Sequence, residues 1–333
     1  MTRFNDRPLD VVGIGNAIVD VLVKADDAFL AAQSLNKGSM ALVDEVQAEA
    51  LYAASGPGLE TSGGSAANTL VGLAQLGGKA GFIGRVKNDQ LGRIFSHDIR
   101  SVGARFETPA ANDGPSTARC LIVVTPDAQR TMCTYLGASV QLDPEDLDLS
   151  MVSEAKVLYL EGYLWDSPAA KQAFIAAAEV CKASGGQVAL SLSDGFCVDR
   201  HRESFLELVD GHVDVLFAND SEITSLYQSP SFEAAVEEVK GRCQVAALTR
   251  SKDGSVVLAG DQRWDIPAYT LGELVDTTGA GDLYAGGFLH GYTQGEPIDA
   301  CGRLGSLCAG QVVTQLGPRS QVSLKELVAK HLN

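Results

Sequence analysis

Short apolar, β-branched runs alternate along the chain with longer amphipathic or alanine-rich stretches. Residues 9–14, 157–160, 188–192, 213–217 and 245–249 predict strands buried on both faces, while 169–182 and 232–242 repeat apolar positions at helical spacing. Strands alternating with helices imply βαβ crossovers and a mostly parallel sheet covered on both sides. From Gly279 onward the pattern changes to successive helices that close one side. Two regions break the rhythm. Residues 19–23 and 39–43 are apolar with no long helix between them, and 117–125 and 131–136 pattern as a hairpin around Pro126-Asp127-Ala128-Gln129. These pieces either extend the main sheet or form a small separate one, and the pattern alone leaves both open.

A length of 333 residues suits one main α/β body with a small appendage. There is no internal repeat, low-complexity tract or long linker. Hydrophobic residues at 45% and charged residues at 20% describe a globular chain with a large core. The net charge of −16 argues against a nucleic-acid partner, which needs a basic stripe to neutralise phosphates. Seven cysteines, scattered and without a C-x-x-C pair, favour reduced thiols, and the five histidines show no paired metal-ligand spacing. The amino terminus lacks an apolar signal run, and no stretch of about 18 uninterrupted apolar residues occurs. The expectation is a cytoplasmic protein with no membrane partner.

The most informative segment is Asp276-Thr277-Thr278-Gly279-Ala280-Gly281-Asp282, which runs into an apolar helix. Gly279, Ala280 and Gly281 let backbone N–H groups approach a phosphoryl group, and the following helix adds the positive end of its dipole. Asp282 then stands where a base must be to deprotonate an attacking hydroxyl. The plain alternative is a glycine-rich turn that caps an ordinary helix. Gly13-Ile14-Gly15-Asn16 follows a strand but lacks the third glycine of a dinucleotide fingerprint, and the next residues alternate like a strand. What remains there is Asn16 and Asp20, a polar pair at the carboxyl end of the first strand, suited to vicinal hydroxyls. Gly72 to Lys79 is no Walker loop, because its glycine spacing is wrong and it follows a helix. Asn219 and Glu222, three residues apart after an apolar run, can act on Mg²⁺ through its waters or form a helix capping box, and the two roles are compatible.

Two segments in the right order resemble the paired signatures of the ribokinase-like (PfkB-type) carbohydrate and nucleoside kinases. One is the Asp276 to Asp282 segment; the other is Gly63-Gly64-Ser65-Ala66-Ala67-Asn68 with the downstream Phe82-Ile83-Gly84-Arg85 and Asp89-Gln90-Leu91-Gly92. The resemblance covers nearly the whole chain. It implies a three-layer α/β/α body with a mostly parallel sheet, forming a single catalytic domain over residues 1–333, plus a small discontinuous β lid from about residues 18–46 and 108–138. It also implies ATP and Mg²⁺ as cofactors, with K⁺ a further candidate. By the same resemblance Asp282 is the base, Gly279 to Gly281 form the anion cradle, and Asn16, Asp20, Gly64 and Asn68 hold the acceptor. Asn219 and Glu222 handle Mg²⁺ and phosphate, Thr249 and Gly254 meet the nucleotide, and Ala309, with Gly310, Val313 and Gly317, lies where the family forms its adenine wall and a cation loop.

The acceptor is the open question, because one scaffold serves ribose, fructose, other sugars and nucleosides. Residues 130–138 resemble the lid strand of adenosine kinases, which implies that Arg130 stabilises charge on the transferring group and that Cys120, Met132, Leu164 and Phe196 contact a purine. Such a set suits a flat heterocycle, although each residue alone is equally ordinary core. The expectation is ATP-dependent phosphorylation of a nucleoside 5′-hydroxyl, with adenosine giving AMP. The alternatives are a sugar kinase and, in another class, a silent nucleotide-binding regulator. The departures at 161–166 and 36–43 leave base identity open, and either a monomer or a homodimer fits.

Overall fold

A computed structural model describes residues 6–127 and 129–332. The chain begins with β1 (Leu9–Ile14), β2 (Ile18–Lys24), α1 (Asp27–Ala32), β3 (Met40–Leu42), α2 (Glu45–Ala54), β4 (Leu59–Gly63), α3 (Ser65–Gln75), β5 (Ala80–Ile83) and α4 (Gln90–Ser101). It continues with β6 (Arg105–Phe106), β7 (Ala118–Val124), β8 (Arg130–Tyr135), α5 (Leu149–Ser153), β9 (Ala155–Glu161), α6 (Pro168–Ala183), β10 (Gln187–Ser191), α7 (Gly195–His212) and β11 (Val215–Asn219). The last third holds α8 (Asp220–Tyr227), α9 (Phe232–Val239), β12 (Val245–Thr249), β13 (Ser255–Ala259), β14 (Gln262–Ile266), α10 (Ala280–Gln294), α11 (Ile298–Val312) and α12 (Leu324–His331).

The main sheet has nine strands in the order β14-β13-β12-β11-β10-β9-β1-β5-β6. From β6 to β12 every pairing is parallel, and only β13 and β14 run antiparallel at one edge. Side chains alternate between two cores. Leu158 and Leu160 of β9 pack among residues of α6 to α9, whereas Val157 and Tyr159 face α3, α4 and α10. The result is three layers, helices on both faces of a sheet, which is why these strands read as continuous apolar runs.

The two rhythm-breaking regions form a second sheet of five strands, β3-β8-β7-β2-β4. β2 and β8 show the period-2 alternation of a sheet with unlike faces. Val19, Val21 and Val23 of β2 are buried with Leu30 of α1 and Leu51 of α2. The opposite face carries Asp20, Cys120 and Met132. β4 lies outside the stretches that the hydrophobic pattern picks out, since Leu-Glu-Thr-Ser-Gly offers no apolar alternation; its backbone pairing to β2 makes it a strand. The pattern also omits the β13–β14 hairpin, whose outer strand β14 is largely polar and exposed. The expected turn at 126–129 includes Ala128, outside the described residues. Among the described residues no helix is long and apolar enough to cross a membrane.

Under the β5–β6 edge, Phe82, Phe95 and Phe106 form a fully buried triad with centroids 5.4 to 5.9 Å apart. Phe95→Ala should leave a cavity that rigid neighbours cannot fill and cost about 3–5 kcal/mol, read from urea unfolding.

Candidate active site

The site is assembled at the carboxyl ends of the parallel strands, where open α/β sheets bind ligands. β1 ends at Gly15 and Asn16, and β9 ends at Glu161. The Glu161 carboxylate is 1% exposed and accepts from the Asn16 side chain at 2.7 Å, the Asn16 backbone N–H at 3.2 Å and the Ala66 N–H at 2.7 Å. Asn16 Oδ1 in turn accepts from the Ser139 hydroxyl at 2.8 Å. Glu161 was not singled out from sequence, although a lone carboxylate ending an apolar strand run is a usable signal. Its effect is to clamp the start of α3 against β1.

Two glycines permit that closeness. At Gly64, φ is +99° and an added Cβ would sit 2.2 Å from the Asn16 carbonyl oxygen; at Gly63 it would sit 2.4 Å from the Asp20 carboxylate. Only glycine tolerates this backbone conformation and approach. Helix α3 therefore starts beside Asp20 and presents Ser65 and Asn68 from its first turn. The Ser65 hydroxyl donates to Asp282 Oδ1 at 2.6 Å, and the Asn68 amide donates to Oδ2 at 3.4 Å. The two signature segments thus meet side by side through helices α3 and α10.

Gly279 occupies the cap position of α10 with φ +78°, and an added Cβ would lie 2.6 Å from Pro318. No side chain caps this helix, and among the described residues no acceptor takes the N–H groups of Gly281 or Asp282. Nothing lies within 4 Å of the position a Gly281 Cβ would take. Free N–H groups at a helix amino terminus, with a carboxylate next to them, are chemically suited to an anion.

Asp276 organises the flank. It accepts from the N–H of Thr278 at 3.0 Å and of Gly317 at 2.9 Å, and it pairs with Arg130 of β8, whose Nη1 also donates to the Thr278 hydroxyl at 2.8 Å. The Arg130 Nε and Nη2 groups are buried and find no partner among the described residues. A guanidinium anchored on one edge and free on the other is poised for an anion.

The electrostatics follow from crowding carboxylates in a partly dry cleft. Burial lifts Asp282 to about 7, against the opposing Ser65 hydrogen bond, and nearby Glu161 pushes the same way. Asp20 is raised to about 6 by burial, opposed by the positive charges of Arg319 and Arg130. Burial also raises Glu161, and it lifts Glu222 to about 7. A carboxylate poised near neutrality can accept a proton at working pH.

Residues 54–325 match the model of the pfkB family of carbohydrate kinases. The chain belongs to that family. A probable sugar kinase protein from Rhizobium etli is 49% identical, with a TM-score of 0.89, over 97% of this chain and 98% of that one. The adenosine kinase from Sinorhizobium meliloti is also 49% identical, with a TM-score of 0.88, over 97% and 99%. The adenosine kinase of Saccharomyces cerevisiae is 25% identical over 92% of this chain and 96% of its own. The protein is an ATP-dependent small-molecule kinase of the sugar and nucleoside class.

Within this pfkB scaffold the remaining expected residues fall in three groups. Cys120 and Met132 lie on the cleft-facing side of the small sheet, clustered with Leu316. Leu164 does not join them. It is 0% exposed and packs with Trp165 in the core on the α6–α7 side of the main sheet. Phe196 is 74% exposed on the first turn of α7 and stacks on no ring among the described residues. Asn219 and Glu222 form a complete capping box for α8: Asn219 Oδ1 accepts from the Glu222 N–H at 2.9 Å, and Glu222 accepts from the Asn219 side chain and N–H at 2.6 and 2.9 Å. Thr249 ends β12 opposite Ser255, and Gly254 turns the chain between them at φ +83°, where a Cβ would meet the Ile266 carbonyl oxygen at 2.0 Å. Ala309 is half-buried on α11 against the core under that hairpin.

Asp282 has a consequence for stability. Between pH 4 and about 7 it holds its proton in the folded chain and not in the unfolded one, so its contribution is complete at low pH and is lost as pH rises through that window. Asp282→Asn, which cannot ionise, should exceed the wild type in urea stability at pH 8 by about 1–3 kcal/mol, the solvent-facing side screening part of the penalty, and lose that advantage at pH 4. Equal unfolding midpoints at pH 8 would mean the buried charge is compensated.

Proposed function

We propose that the acceptor is a nucleoside and that the reaction transfers the terminal phosphoryl group of ATP to the 5′-hydroxyl of adenosine, giving AMP. One observation carries this reading. Cross-strand pairing lines up Asp20, Cys120, Thr134 and Leu42 in one row of the small sheet, and Leu22, Ile122, Met132 and Met40 in the next. Among the described residues no donor reaches the Asp20 carboxylate, so one end of the face offers a free acceptor for vicinal hydroxyls. The other end offers Met40 and Leu42, 57% and 65% exposed, beside an open pocket walled by Leu42, Tyr135, Leu136 and Val140. A ribose at the carboxylate end places its base on the apolar end. A bare sugar has nothing to cover those side chains.

In this mechanism Asp20, the backbone at Gly64 and the Asn68 amide hold the ribose. Asn16 acts one step back, since its amide is already engaged by Glu161 and Ser139. Asp282 accepts the hydroxyl proton, while the free N–H groups of Gly281 and Asp282, exposed by the Gly279-Ala280-Gly281 turn, and the free edge of Arg130 receive the developing negative charge. The small sheet acts as a lid that keeps water from the phosphoryl group. Mg²⁺ fits the Asn219–Glu222 pair only through its water shell, because the cap already uses both side chains and Glu222 is 5% exposed. When bound with ATP it neutralises phosphate charge. All seven cysteines are free thiols, in keeping with a reducing compartment.

ADP release should be measured with ATP and Mg²⁺ over adenosine, inosine, guanosine, ribose and fructose. Adenosine is expected to drive turnover well above the sugars; turnover with a sugar alone would overturn the acceptor assignment and leave the chemistry intact. Asp282→Asn should retain adenosine binding and lose about 10²–10⁴ in kcat. In the wild type, kcat/KM should rise with pH and level off above about 7, the apparent value belonging to the coupled Asp282, Asp20 and Glu161 set.

A further inference from the structure

A single short segment between α11 and α12 touches the small sheet, the α10 turn and helix α3. Leu316 packs into the cleft face of the small sheet with Cys120 and Met132. The Gly317 N–H donates to Asp276, and Pro318 lies against Gly279. Ser320 offers its carbonyl oxygen to Gln75 at the end of α3, at 3.1 Å. Between them, Arg319 extends toward the acceptor. Its Nε donates to Asn68 Oδ1 at 3.1 Å, Nη1 to Asp98 Oδ2 at 3.0 Å and Nη2 to the Ser62 hydroxyl at 2.8 Å. The side chain is 16% exposed.

The geometry points to Arg319 as a positioning residue for the acceptor: it sets the orientation of the Asn68 amide and ties the acceptor side to the segment that lies against the α10 turn. This inference rests on the acceptor-site reading above. An Asn side chain has a donor end and an acceptor end that differ little in shape. Arg319, which can only donate, claims Oδ1 and so turns the Nδ2 donor toward Asp282 and the space above it. Without that constraint the amide can flip and present an oxygen to a carboxylate. The other two contacts anchor the guanidinium to β4 through Ser62 and to α4 through Asp98, whose Oδ2 also accepts from the Ser62 N–H and hydroxyl at 2.8 and 2.6 Å. Ser62 pairs with Val19 in the register that sets Asp20 opposite Thr61. A rigid three-point fork therefore fixes the acceptor side relative to the segment holding the cradle.

The charges around Asp20 and Asp282 come from several elements. Arg319 and Arg130 of β8 are positive, while Glu161 of β9, Asp98 of α4 and the two aspartates themselves are negative. Removing one of two cations from this set makes the carboxylates harder to ionise.

The test compares Arg319→Gln and Arg319→Lys with the wild type, using whichever acceptor the wild-type enzyme turns over, so that failure of the adenosine assignment remains a separate result. Arg319→Gln should raise the acceptor KM about tenfold or more, the size of one lost oriented hydrogen-bond network, with the ATP KM within about twofold. It should also move the acidic limb of kcat/KM to higher pH. Arg319→Lys, which keeps the charge but not the fork, should return that limb toward the wild type while the acceptor KM stays high. Thermal unfolding of both variants checks that they fold. Folded variants with an unchanged acceptor KM and an unmoved acidic limb, or with equal loss for ATP and acceptor, would overturn the proposal.

Discussion

The packing of α3 against α10 is the constraint on which the site depends. A Gly286 Cβ would lie 2.6 Å from the Thr69 carbonyl oxygen and a Gly72 Cβ 2.7 Å from Leu283, so glycines on both helices let them approach closely. Their amino termini then converge at one end of the main sheet. Ser65 and Asn68 reach Asp282 because of that approach, and the free N–H groups of α10 open beside the carboxylate they hold. A wider spacing would separate Asp282, its donors and the glycine turn, which the proposed mechanism needs together.

Bringing these groups together concentrates negative charge. Asp20, Asp282 and Glu161 are each pushed up by burial, and Glu222 is lifted in the same way at the end of β11. Glu161 is offset by three donors, while Asp20 receives none among the described residues. The molecule therefore retains an unpaired carboxylate at Asp20 and a raised one at Asp282, which in the proposed mechanism hold the acceptor hydroxyls and take the proton. Both choices cost stability that the large apolar cores offset. The local cations, Arg130 and Arg319, come from separate elements and meet only in the folded chain, which reconciles a net charge of −16 with a site for polyanionic substrates.

The small sheet and the segment after α11 divide the positioning between them. The sheet offers one face to its own helices and the other to the cleft, so a single alternation in β2 both anchors it and aims Asp20. The segment after α11 gives that face a second attachment through Leu316 and Arg319. The sheet is thereby linked to the α10 turn through Asp276 and its Arg130 partner.

Much was legible in the sequence where the physics is local. The buried strands announced themselves as apolar runs, the helices by their period, and the two glycine-rich segments by residue types that few other backbone conformations require. The position of Asp282 at a helix start followed from the same local reading. Other features were decided only by tertiary structure. Leu164 reads as well for a pocket as for a core, and only the side of the sheet to which its turn delivers it assigned it to the core. β4 became a strand through pairing to β2. Arg319 and Asp98 carry no motif that separates them from other charged residues, and their importance, like the partner sets of Glu161 and Asp276, arises from residues far away in the chain. Local sequence determines conformation and burial tendency, whereas hydrogen-bond partners and electrostatic neighbours depend on which distant segments the fold brings within a few ångströms.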